Sequence, residues 1–179
     1  MNKKQVRAHA RFAMDRGITR NEVFAHLRGR GMKDGALAYF IASHIDPARR
    51  LQHAGKVKVL VALMIVLSVV GFMAGLGMGA KIGPNAKWVV AGGVALVSLL
   101  FAWGFHQYRV TAYNAYILLA IVHLPNSMDG FIAEPFTASL GFVVSVGLLA
   151  YVVFVRYCLF PDFTFLNPRK VKGQYVFAA

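Results

Sequence analysis

Residues 57–80 read VKVLVALMIVLSVVGFMAGLGMGA, and this stretch decides the fold. Only Lys58 interrupts it, at the edge, where a lysine side chain reaches up to the lipid headgroups. At about 1.5 Å of rise per residue, a helix of this length crosses the roughly 30 Å of bilayer hydrocarbon. Three more apolar runs follow. Residues 88–105, WVVAGGVALVSLLFAWGF, carry Trp88 and Trp103 near their two ends, the placement of interfacial anchors. Residues 110–124 form the weakest run, closed by Pro125, and residues 137–160 are uninterrupted until Arg156. The expected fold is all-α: a four-helix transmembrane bundle over 56–160, with spans at about 57–80, 88–105, 110–124 and 137–160. A small basic cytoplasmic helical domain at 1–55 precedes it, and a cytoplasmic tail at 161–179 follows.

Composition agrees with this partition. The chain has 179 residues, of which 58% are hydrophobic, and a mean hydropathy of +0.54. An ordinary soluble domain holds about 45–50% apolar residues. Disorder is excluded as well, because it requires low hydrophobicity. The formal charge of +13 arises from 20 Lys and Arg against 7 Asp and Glu. Thirteen of the basic residues lie in 1–58 and four in 156–172, on the flanks of the apolar region. The positive-inside rule then places both termini in the cytoplasm, with about eighteen basic residues on that side and two, Lys81 and Lys87, on the other. The expected location is a bacterial inner membrane, with the basic surface against an anionic inner leaflet. No cleavable signal peptide is expected, since the first apolar run starts near residue 57. The single Cys158 excludes an internal disulfide framework and a cysteine-based metal site.

The first 55 residues carry helix punctuation. Residues 3–16 place Val6, Ala10, Ala13 and Met14 on one face, and Gly17 stops the helix. Thr19 with Glu22 forms a capping box for the next helix, which Gly29 and Gly31 end. Asp34 is expected to cap a third helix, and Asp46-Pro47 to start a segment leading into the first span. A DNA-reading helix would need polar side chains for base edges, whereas DGALAYFIASH is apolar. Nucleic acid is therefore not an expected partner. Phe24, Leu27, Tyr39 and Phe40 are candidates either for a miniature core or for a protein-docking face.

Gly71, Gly75 and Gly79 recur every four residues, the interval that lets membrane helices approach closely. They fit packing within one bundle, the preferred reading, or self-association into an oligomer. Gly141 and Ser145 form a weaker stripe that is a candidate partner for it. His106, Arg109, Tyr113 and Asn114 fall at the turn between the second and third runs. They read as an interfacial girdle or as an ion or headgroup site. His123, Asp129 and Glu134 include metal-ligand types but match no ligand spacing.

No H-E-x-x-H, phosphate-binding glycine loop or G-x-S-x-G is present in the sequence. Few carboxylates fall within the apolar region, so neither catalysis nor a cofactor is expected. The resulting expectation is a non-catalytic membrane subunit of a larger envelope or secretion-type complex, docking other membrane subunits through its cytoplasmic helices. A small homo-oligomeric pore is the alternative.

Overall fold

The computed structural model describes residues 1–125 and 135–177. Among them run seven helices: α1 (Lys3–Asp15), α2 (Arg20–Leu27), α3 (Asp34–Ser43), α4 (Pro47–Ala80), α5 (Ala86–His106), α6 (Val110–His123) and α7 (Pro135–Leu159). A short antiparallel hairpin follows, β1 (Lys170–Val171) and β2 (Gln174–Tyr175), with Lys170 opposite Tyr175. The chain divides into two compact units: Met1–Gln52 together with Arg156–Ala179, and His53–Val155.

In the first unit, local chemistry sets the helix limits. Gly17, at φ +82, ends α1 in the left-handed region that a Cβ disfavours, and its N–H donates to the Met14 carbonyl. The Thr19 hydroxyl accepts from Glu22 N–H, and Glu22 Oε2 accepts from Thr19 N–H, which makes the capping box at α2. The cap of α3 differs from expectation. Lys33 occupies the N-cap position, and Asp34 lies in the first turn, where its carboxylate accepts from Arg28 Nε at 2.9 Å. Asp46 Oδ1 accepts from Ala48 N–H at the start of α4, which runs unbroken for 34 residues.

The core of this unit is small and filled from both ends of the chain. Val6 and Ala10 on α1, Val23 and Leu27 on α2, and Leu37 and Ile41 on α3 are all buried. Phe160, Phe163 and Phe177 are buried with them in the same unit. The sequence read 161–179 as a cytoplasmic tail, and its described part, 161–177, belongs to the same compact unit as the N-terminal helices.

In the second unit the apolar helices keep their side chains outward. Large hydrophobic residues such as Val69, Val89 and Val143 are exposed, and only 11% of the apolar window of α7 is buried. Water would make this surface unfavourable, whereas lipid hydrocarbon is its proper solvent. The protein is therefore a membrane protein. Three helices are long and apolar enough to span a bilayer: α4, α5 and the Ala138–Leu159 part of α7. The expected third span at 110–124 appears as the 14-residue α6. At about 1.5 Å per residue it measures roughly 21 Å, short of the hydrocarbon thickness.

Candidate functional site

The glycine stripe of α4 lies against α5. A Cβ added at Gly75 would stand 2.6 Å from the Ala91 Cα, and one at Gly79 would stand 2.4 Å from the Lys87 Cα. At Gly71 it would meet the Val94 side chain at 2.9 Å. One turn earlier, the Ser68 hydroxyl donates to the Ala95 carbonyl at 3.1 Å. The four positions thus form one seam along which two backbones nearly touch, the arrangement that small residues allow in lipid. Gly141 behaves differently, since a Cβ there would meet nothing within 4 Å. The Ser145 hydroxyl turns back to the Gly141 carbonyl of its own helix at 2.8 Å.

The residues of the expected polar cluster flank the turn between α5 and α6. His106 and Arg109 are exposed, whereas Tyr113 and Asn114 are buried. The Arg109 guanidinium lies 4.9 Å from the Trp103 ring, an interfacial cation–π pair. The Tyr113 ring packs at 4.6 Å from that of Phe105. Gly104, which the sequence reading did not single out, permits this hairpin: a Cβ there would stand 2.5 Å from the Ala112 Cβ. His123 is exposed, while Asp129 and Glu134 lie outside the described residues.

The aromatic face of the first unit is covered by the chain itself. Phe24 is buried, with its ring 5.4 Å from that of Tyr175 and 5.6 Å from that of Phe177. Asn21 grips the same strand end through its amide: Nδ2 donates to the Phe177 carbonyl, and Oδ1 accepts from Phe177 N–H. Leu27 is buried as well. Tyr39 meets Phe163 edge-on at 5.2 Å, and the Arg7 guanidinium lies 5.8 Å from the Phe40 ring. Arg156, 1% exposed, has Tyr157, Phe163 and Phe165 around its guanidinium at 5.5–5.9 Å.

Beneath this face Arg20 pairs with Asp162, whose side chain is fully buried. The second arm of Arg20, Nη2, donates to the His44 carbonyl at 3.0 Å. His44 Nε2 in turn lies 3.3 Å from Asp15 Oδ1. Burial holds the His44 imidazole below its ordinary pKa, and the positive charges of Arg11 and Arg20 add to that; Asp15 acts in the opposite direction. His44 and Arg20 line one side of a cleft of about 480 Å³, with Asp15, Thr19, Asp46 and Arg49 also on its wall. The sequence reading missed this cleft, because its residues are scattered from 14 to 49 and match no spacing rule. Its only sequence signal is the density of charged residues around two helix starts.

No protein-family model, curated protein or solved structure matches the chain.

Proposed function

We propose that this protein is a non-catalytic integral membrane subunit of a larger envelope assembly, anchored by four crossings and docked to its partners through the basic first unit. The observation that carries the proposal is the joining of both ends of the apolar region in one folded body. Residues 1–52 and 156–179 share 15 Lys and Arg against 5 Asp and Glu, a balance of +10. Such a body suits a surface facing an anionic leaflet, where each basic residue contributes about 1 kcal/mol, and acidic faces of neighbouring subunits. With Phe24 covered by Tyr175 and Phe177 and Leu27 buried, the docking surface is the exposed basic exterior together with Phe40.

The same joining bears on topology. The Arg20–Asp162 pair supports a reading in which α4 starts, and α7 ends, on one side of the membrane. This reading takes an even number of crossings, with α6 as the fourth. The excess of basic residues on both flanks supports a cytoplasmic location for this side, and an inner-membrane address.

A homo-oligomeric pore was motivated by the Gly71/Gly75/Gly79 stripe, which is taken up by α5 of the same chain. The test is native mass spectrometry of the protein extracted from its own membrane in mild detergent. A fixed stoichiometry with other subunits is expected, lost when Arg7 and Arg11 are both changed to Glu. A closed homo-oligomer, or a bare monomer, overturns the proposal.

A further inference from the structure

The cleft between the start of α2 and the start of α4 is open, about 480 Å³ in volume, and carries charged side chains on a wall that also includes Met14, Ile18 and Pro47. Of its charged groups, three are already engaged. Asp15 faces His44, Asp46 accepts from Ala48 N–H, and Arg20 is held between Asp162 and the His44 carbonyl. Arg49 is different. Its Nη1 is buried and has no hydrogen-bond partner among the described residues. A buried donor left without an acceptor costs about 1–3 kcal/mol, a cost that an acceptor from a ligand removes. A guanidinium presents its N–H groups as a planar fork that matches a phosphate.

The two carboxylates on the wall, Asp15 and Asp46, narrow the ligand further. Both residues are exposed, and each retains lone pairs beyond the single donor that it holds. A simple anion would be repelled by them. A zwitterion with a phosphate at one end and a primary ammonium at the other meets both signs of charge. Asp46 and Arg49 lie three residues apart at the start of α4 and line the same cleft, without an ion pair between them. Arg49 stands eight residues before Val57, where the apolar run begins. That is roughly 12 Å of rise along the same unbroken helix.

We propose that this cleft binds a phosphoethanolamine group, the headgroup of an aminophospholipid, with Arg49 donating to the phosphate and Asp46 accepting from the ammonium. The proposal rests on the membrane reading of the fold. Partner subunits play no part in it, so a failure of the docking proposal leaves it standing, and the reverse also holds.

The test uses the full-length protein in nanodiscs containing equal amounts of phosphatidylethanolamine, phosphatidylglycerol and phosphatidylcholine, with retained lipid read by native mass spectrometry. Phosphatidylethanolamine should be retained in preference to the other two. Arg49→Gln should weaken that preference roughly tenfold, the scale of one charge-assisted hydrogen bond. Arg49→Lys should restore part of it, and Asp46→Asn, which keeps the helix cap, should abolish discrimination against phosphatidylcholine. Equal retention of the three lipids, a preference for phosphatidylglycerol, or an Arg49→Gln protein that retains lipid like the wild type overturns the proposal. Soluble phosphoethanolamine, titrated in lipid-free detergent, separates the sources. Competition that displaces the lipid supports a shared site, whereas saturable binding without any lipid preference overturns the lipid assignment.

Discussion

Arg20, on the first turn of α2, and Asp162, just beyond the end of α7, form an ion pair that joins residues 142 positions apart. The Arg20 side chain is 13% exposed and that of Asp162 0%, so the pair is desolvated rather than a surface contact. Removing one partner takes the opposite charge away from a buried group, a loss that typically costs about 3–5 kcal/mol. Asp162→Asn and Arg20→Ala are each expected to loosen the C-terminal strand and make 160–177 sensitive to protease. The double change Arg20→Met with Asp162→Leu, which removes both charges, should recover most of the loss. Thermal unfolding in detergent with limited proteolysis reads both effects; single variants as stable as the wild type would show that the pair contributes nothing.

The seam between α4 and α5 predicts an unequal response to the same small change. Gly75→Ala places a methyl group 2.6 Å from the Ala91 Cα, which is backbone and cannot swing aside. Forced separation of packed elements costs about 1–3 kcal/mol. Gly141→Ala places its methyl group in open space and should leave the stability of the isolated protein unchanged. Melting curves of the two variants in one detergent check the contrast. Equal melting temperatures would mean that the seam does not hold the two helices together.

Much of this architecture was legible in the sequence because its signals are local. The apolar run at 57–80, the Thr19–Glu22 box and the Gly17 stop each act within a few residues, and each appears where the pattern predicts it. The four-residue glycine interval likewise marked a close approach, although spacing alone does not say whether the neighbour belongs to the same chain. The union of the two chain ends was not legible. Nothing local in PDFTFLNPRK announces that Asp162 meets Arg20 or that Phe177 covers Phe24; such pairings are set by tertiary packing. Asp34 misled for a related reason, since its carboxylate serves Arg28 rather than the helix end. At α6 the run expected at 110–124 is the helix Val110–His123, and its local pattern does not say whether so short a helix crosses the membrane.

His44 gives the first unit an acid sensitivity. Its pKa is lowered in the folded protein, mainly by burial, with Arg11 and Arg20 adding to the effect and Asp15 opposing it. Below the ordinary imidazole value of about 6.5, the unfolded chain therefore binds a proton that the folded chain resists. Stability should fall as the pH drops from about 6.5 through the lower folded value, and no such loss from this group should occur above neutrality. His44→Gln should flatten that part of the profile. Unfolding midpoints between neutral and mildly acid pH, for wild type and variant, read the difference. Parallel profiles would remove His44 as the cause.

The proposed even number of crossings makes a directional prediction for labelling. With Cys158 replaced by Ser, single cysteines at Leu51, 80% exposed near the start of α4, and at Ile82, 73% exposed between α4 and α5, offer accessible probes on opposite sides of the first crossing. A third at Phe165, beyond α7 in the same unit as Leu51, tests the return of the chain. A membrane-impermeant maleimide applied to intact cells should label Ile82→Cys alone, and disruption of the membrane should add the other two. If Phe165→Cys reacts together with Ile82→Cys, the chain crosses an odd number of times, and α6 does not complete a span. In that case the Arg20–Asp162 pair could not form in the membrane-inserted protein, and the joining of the two ends would fall with it. Agreement between Leu51→Cys and Phe165→Cys, both silent in intact cells, would instead place the basic unit in the cytoplasm, where the charge asymmetry of the sequence puts it.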